Sequence, residues 1–296
     1  MRIVTLEGTR DLIVVVPTPD VERRLTQEFV ESVRRTASSK PTVILVESSG
    51  PEFHFSKSMN SGIKAAINYG SGYIALSNDD VRPLVQSWDR RLVEDLQRSS
   101  DLAYVSPLLC RDGRISGPLI SMPGYHSVDL FTRFYDLVPA RLFPLLRWLR
   151  GLMIRGLRSN GDVLVQPNLI VNTQPFSVFR ADYLNELGGF DEKFVNGGED
   201  LDLALRVLDR GWRAALDVDV TFEDIGSATV GKGGFAILMD RSTKASPQQV
   251  SNWRLLIGKY CRKYYSLLRR PNELKFTLVG EDAGQRLREG CLPQPV

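Results

Sequence analysis

Histidine and cysteine are scarce in this chain. Its 296 residues hold two histidines, His54 and His126, so far apart that a histidine-rich zinc site is excluded as the first expectation. Three cysteines, Cys110, Cys261 and Cys291, form neither a CxxC pair nor a disulfide framework. The simplest expectation from them is a reducing, cytoplasmic compartment. Long apolar runs are missing too. Nothing approaches the roughly 20 residues of a membrane span. The stretch from Leu12 to Val16, behind Arg10 and Asp11, is too short for a signal-peptide core. The formal net charge of +3 gives no argument for nucleic acid, and no internal repeat or low-complexity segment occurs.

What is present is core. Hydrophobic residues make up 43% of the chain and charged residues 25%, an ordinary balance for one large α/β domain or two smaller ones. Asp11 to Pro17 is a short, almost wholly apolar run and predicts a strand buried on both faces, hence parallel and central. Asp20 to Thr36 carries Val21, Leu25, Phe29, Val30 and Val33 at helical spacing. Thr42 to Val46 predicts a second buried strand, and strand–helix–strand of this length is a βαβ unit. A helix over 58–68, a strand from Tyr73 to Leu76, a helix over 89–98 and a strand over 102–107 continue the alternation.

The third of these strands ends in Asn78-Asp79-Asp80. Such an ending sets carboxylates at the carboxyl edge of a sheet, where open α/β sheets bind ligands. Adjacent carboxylates repel, so a cation or a ring of donors must hold them there, and hard oxygen ligands suit Mg²⁺ or Mn²⁺ arriving with substrate phosphates. The plainer alternative is an Asn-Asp turn between strand and helix.

Further along, residues 139–158 carry Arg141, Arg147, Arg150, Arg155 and Arg158 with no acidic residue, opposite a leucine face. Two readings of this basic amphipathic segment stand level. It lies on an anionic membrane surface, or it packs on the domain or a twin subunit with its arginines in water. Phe176 to Phe179 predicts a strand, Ala181 to Leu187 a short helix stopped by Gly188-Gly189, and Leu201, Ala204, Leu205 and Leu208 a helix ended by Gly211. Glu199 and Asp200 then sit in that helix's first turn, where its positive end favours ionised carboxylates. A carboxylate fixed there serves as a base, binds a cation, or merely caps. Strands over 212–222, a glycine-rich loop over 231–246, a second basic helix over 248–268 and a short strand over 275–279 complete the chain.

Three stretches, taken together, resemble the family 2 glycosyltransferases, the large inverting class with the GT-A fold. The first holds Asn60-Ser61-Gly62, Ala66-Ile67-Asn68-Tyr69-Gly70 and Asn78-Asp79-Asp80; the second Gly188-Gly189-Phe190-Asp191-Glu192 and Gly198-Glu199-Asp200-Leu201-Asp202-Leu203 with Arg206; the third Gly226-Ser227-Ala228-Thr229. The likeness covers about 11–230. It implies a Rossmann-like, mostly parallel central sheet flanked by helices, with a helical insertion and a C-terminal helical extension. The implied layout is a nucleotide-sugar-binding half over 1–110, an insertion over 111–165, an acceptor-binding and catalytic half over 166–230, and the loop and extension over 231–296. It implies a sugar moved from a nucleotide-diphosphate donor to a hydroxyl acceptor with inversion, and a Mn²⁺ or Mg²⁺ ion.

By position, Pro17, Thr18, Glu47, Asn60, Asn78 and Asp79 are implied to bind the nucleotide sugar, Asp80 and Asp224 the metal, and Asp200 with Glu199 the catalytic step. Glu47 and Asn78 stand where the family usually has Asp, and Asp224 where many members have His. These departures motivate the rival expectation of a nucleotide-sugar or glycan binding module with impaired catalysis. A nucleotidyltransferase is disfavoured, because Pro17-Thr18-Pro19-Asp20 is unlike a glycine-rich phosphate loop. The basic segments add the expectation of a glycan or lipid-linked acceptor, with the protein peripheral at the inner face of a membrane and no nucleic acid partner.

Overall fold

The computed structural model describes residues 1–50, 53–111, 114–117, 119–121, 169–171, 173–225, 251–252, 255, 259 and 276–279. The basic segment over 139–158, the glycine-rich loop over 231–246, the Gly226–Thr229 motif and most of the C-terminal helix lie outside them.

In chain order the strands are β1 (Arg2–Leu6), β2 (Thr9–Thr18), β3 (Pro41–Glu47), β4 (Tyr73–Ser77), β5 (Val81–Pro83), β6 (Leu102–Arg111), β7 (Arg114–Gly117), β8 (Leu119–Ser121), β9 (Leu169–Val171), β10 (Phe176–Arg180), β11 (Arg213–Asp224) and β12 (Phe276–Val279). The helices are α1 (Arg24–Thr36), α2 (Phe55–Asn68), α3 (Trp88–Gln97), α4 (Ala181–Leu187) and α5 (Glu199–Asp209). All the strands except β8 and β9 join one ten-stranded sheet, ordered β1-β3-β2-β4-β10-β6-β11-β12, with β5 on β11 and β7 on β6. Along that path β3, β2, β4, β6, β11 and β12 run one way, and only β1 and β10 oppose them. The α/β class and the mostly parallel sheet are therefore as expected.

The apolar runs explain the two layers. In β2, Ile13 and Val15 join one core cluster while Leu12, Val14 and Val16 join the other, the period of two that a strand covered on both faces requires. The first cluster takes Met59 and Ile63 of α2 and Leu201 and Leu205 of α5. The second takes Phe29 and Val33 of α1 and Trp88 and Leu92 of α3. Trp88 meets Phe176 and Phe222 edge-on at 5.3 and 5.7 Å, so the strand that runs against its neighbours is anchored from the α3 side.

Several features differ from the sequence reading, the short strands β5, β7, β8 and β9 among them. The edge strand β1 was not expected, because its five residues are exposed or half-buried and lack the continuous apolar signal of β2. Cys110, buried near the end of β6, is disulfide-bonded, which corrects the expectation of no disulfide pairing. Cysteine spacing alone cannot reveal a single long-range bridge.

Candidate active site at the carboxyl edge of the sheet

The parallel strands deliver their carboxyl ends to one edge. Thr18 closes β2, Glu47 closes β3, and Asn78-Asp79-Asp80 follows β4. The strand order reverses around β2, which lies between β3 and β4, so this edge contains the topological switch point where α/β sheets open a crevice.

Asp79 is buried and closely held. The Thr18 and Thr26 hydroxyls donate to its Oδ2 at 3.0 and 2.8 Å, and Arg23 Nη2 lies 3.4 Å from its Oδ1. Its backbone carbonyl accepts from Arg82 Nη1 at 3.1 Å, and Arg82 also reaches the Leu25 carbonyl of α1. Burial lowers the Arg82 pKa, against the pull of Glu28 and the two aspartates. Asp79 thus ties β4 to β2 and α1. Its carboxylate organises the edge, and so does the Thr18 hydroxyl. Neither Thr26, Arg23 nor Arg82 stood out in the sequence, since each sits unremarkably in a charged helix or turn. Glu47 is half-buried, and its Oε2 accepts from the Val21 backbone N–H at 3.2 Å, shaping the loop after Pro17.

Asn60 is placed elsewhere. Its Nδ2 donates to the Phe190 carbonyl at 2.9 Å and to Glu192 Oε1 at 3.0 Å, and its Oδ1 accepts from Phe190 N–H at 2.8 Å. The amide is thus bonded to the protein at both ends. The same contacts give two glycines of the resemblance a physical meaning. A Cβ on Gly189 would stand 2.4 Å from Asn60 Oδ1, and one on Gly62 would stand 2.3 Å from Val15 Cγ1. Two motifs far apart in sequence are one clasp between α2 and the turn before α5. Arg206 extends that clasp: it bonds Asp202 Oδ2 at 2.8 Å and the carbonyls of Leu187 and Gly189 at 2.7 and 2.6 Å.

The backbone at Asp80 runs beside that at Asp224. Asp224 pairs with Val81 across β11 and β5, and Ile225 N–H donates to the Asp80 carbonyl at 2.9 Å. Arg111 Nη2 holds Asp224 Oδ2 at 2.7 Å. Among the described residues no group of three or more His, Cys, Asp or Glu side chains could hold a metal. The carboxylates of Asp80, just before β5, and Asp224, at the end of β11, are hard oxygen ligands of the type that suits Mg²⁺ or Mn²⁺, with substrate phosphates completing the shell.

Asp200 reaches the same edge through β10. That strand runs against β4, with Phe176 opposite Ser77, so its entry segment 173–175 lies beside Asn78. Asn78 N–H donates to the Pro175 carbonyl at 2.9 Å, and Thr173 Oγ1 donates to the Asp200 carbonyl at 3.2 Å. A short stretch of backbone thus links the two acidic motifs. Gly197 and Gly198, at φ +148° and +89°, turn the chain into α5, and Glu199 Oε2 accepts from Gly197 N–H at 2.5 Å. Burial, then the charge of Asp200, pushes Glu199 up to about 8. Tyr104, stacked 4.7 Å from Phe179, is raised by burial and then by the same charge of Asp200. Burial and the neighbouring Asp200 thus favour the protonated form of the Glu199 carboxyl near neutral pH.

No family model matches the chain, and no curated protein matches it. Among solved structures, the chain is similar to the catalytic domain of Drosophila β1,4-galactosyltransferase 7 in complex with xylobiose, at 14% identity and a TM-score of 0.44, covering 82% of this chain and 79% of that one. A mutant of the same Drosophila enzyme, in complex with manganese, UDP-Gal and xylobiose, is similar at 14% identity and a TM-score of 0.42, covering 81% and 79%. Likeness at this level assigns the chain neither a family nor a substrate.

Proposed function

We propose that this chain is an inverting glycosyltransferase of GT-A type, similar to family 2, that moves a sugar from a nucleotide-diphosphate donor to a hydroxyl acceptor. The observation that carries the reading is the meeting of Asn78-Asp79-Asp80 with Asp200 through 173–175 at the carboxyl edge of the sheet. A donor phosphate side and a carboxylate base are needed in one cleft, and these two motifs supply them.

In the reaction, Asp200 takes the acceptor hydroxyl proton as that oxygen bonds to the anomeric carbon. The bond from that carbon to the diphosphate oxygen breaks on the opposite face, and its electron pair leaves with the phosphate. Attack from opposite the leaving group inverts the centre. Glu199, its pKa raised by burial and by Asp200, stands beside the base as its protonated neighbour. When bound, Mn²⁺ or Mg²⁺ against Asp80 and Asp224 would offset charge on the departing diphosphate.

The acceptor proposed is a glycan or lipid-linked sugar at the inner face of a membrane, motivated by the arginines of 139–158 and the basic residues of 248–268. No helix among the described residues is long and apolar enough to cross a membrane. Flotation with anionic liposomes should depend on Arg147, Arg150 and Arg155; flotation unchanged by their replacement would remove this part.

The experiment for the reaction is Asp200→Asn. Donor binding should persist while transfer falls about 10²–10⁴-fold. Full activity would reject Asp200 as the base. A second reading, a nucleotide-sugar binding module with impaired catalysis, draws support from Asn78 and from the Arg111 hold on Asp224. Release of nucleoside diphosphate by the native chain, with and without acceptor, separates the two.

A further inference from the structure

Between the two acidic motifs lies a polar side chain that the sequence reading passed over. Gln174 is 8% exposed, and both its Nε2 and its Oε1 are buried with no hydrogen-bond partner. It stands between Thr173, bonded to the Asp200 carbonyl, and Pro175, whose carbonyl receives Asn78 N–H. The Asn78 side chain shares the condition: its Oδ1 is buried and without a hydrogen-bond partner. A buried amide that makes no bond keeps the whole cost of its desolvation. One such amide and, at an adjoining position, one such amide oxygen, on backbone that itself is well bonded, mark groups waiting for a ligand.

The chemistry of the pair selects the ligand class. Gln174 offers a donor and an acceptor, and Asn78 Oδ1 is an acceptor. Neither amide carries charge. Phosphate and carboxylate oxygens only accept, so the two carbonyl oxygens would repel them. A hydroxyl both donates and accepts, and a vicinal diol can meet both oxygens and the amide N–H₂ together. The position agrees, since the group bound here lies between the donor-side aspartates and the candidate base.

We infer that Gln174, with Asn78, receives hydroxyl groups of the sugar being transferred and so discriminates among donors by their hydroxyl pattern. This rests on the glycosyltransferase reading. Glu47 would then serve the nucleotide end, and Gln174 the sugar end. A site that pairs a buried amide with a substrate hydroxyl strongly rejects the analogue lacking it, because the amide is left unpaired again.

The test uses the full chain and two variants, Gln174→Met and Asn78→Ala. Binding of UDP, GDP, dTDP, UDP-glucose, UDP-galactose, GDP-mannose and dTDP-glucose is measured by calorimetry, and melting of the unliganded proteins is recorded beside it. The native chain should bind one nucleotide sugar more tightly than its nucleoside diphosphate. Gln174→Met should keep the nucleoside diphosphate affinity and lose about tenfold in the gain due to the sugar. Its unliganded melting temperature should not fall, since an unbonded buried amide has been removed. Asn78→Ala should lose the same gain, and it decides the matter should Gln174→Met fail to fold. An unchanged ratio of nucleotide sugar to nucleotide affinity in the folded variants overturns the inference and leaves the function standing. A native chain that binds none of the seven compounds overturns the glycosyltransferase reading itself.

Discussion

The molecule holds two kinds of buried acid at one sheet edge, and they behave in opposite ways. Asp79 is satisfied by Thr18, Thr26 and Arg23. Glu199 is paired with another acid, Asp200, and burial pushes its pKa up to about 8. The first arrangement fixes geometry, because both carboxylate oxygens face donors. The second can hold or release a proton near neutral pH. Position at a strand or helix end does not tell them apart. The donors around each do.

The comparison breaks most visibly at Asp79. Asp79→Ala leaves two buried hydroxyls and a half-buried guanidinium without their shared acceptor, and stability should fall by about 3 kcal/mol. Chemical denaturation measures it. Asp200→Asn, by contrast, should leave the unfolding free energy within about 1 kcal/mol of the native value while transfer falls about 10²–10⁴-fold. Equal losses of stability in both variants would mean that both acids are structural.

A smaller effect tests the proton on Glu199. Its pKa is raised from the ordinary value near 4.5, so the folded state binds a proton that the unfolded state has lost between about pH 4.5 and 8. Stability from this group is therefore greatest at the low end of that window and declines as pH rises through it. Glu199→Gln removes the decline and should be the more stable protein at pH 8.5, on the order of 2 kcal/mol. A second buried pair sharpens the result away from the site. Asp95 of α3 is pushed up to about 8, by burial first and then by Asp217 of β11, whose own pKa burial raises. Asp95→Asn should also flatten the pH dependence of melting between about pH 4 and 8, yet leave transfer unchanged. Identical pH–rate profiles for native and Glu199→Gln proteins, alongside altered melting, would confine Glu199 to stability.

Much of this was legible in the sequence. Leu12 to Val16 reads as a strand covered on both faces because every residue is apolar, and β2 is such a strand. The Gly-Glu-Asp opening of α5 and its leucine spacing place Asp200 at the first turn. The roles of single polar residues were harder to read. Asn60 belongs to a clasp with Phe190, and no spacing along the chain reports a contact 130 residues away. Gln174 gave no signal because an unbonded amide is defined by what surrounds it, and only the packing of β10 against β4 supplies those surroundings.

The smallest expected effect concerns Arg111, which contrasts the settled Asp79 with a carboxylate still open to exchange. Arg111 holds Asp224 Oδ2 at 2.7 Å, but the arginine side chain is 47% exposed, so the pair is worth little to stability, about 0.5 kcal/mol. A cation reaching Asp80 and Asp224 must compete with that guanidinium for the same oxygen. Arg111→Ala should therefore leave melting almost unchanged and tighten Mn²⁺ binding in the presence of UDP about two- to fivefold, read by calorimetry at fixed UDP. Weaker Mn²⁺ binding would instead make Arg111 the group that orients Asp224 for the ion. No Mn²⁺ dependence in either protein would move Asp224 to the structural side with Asp79.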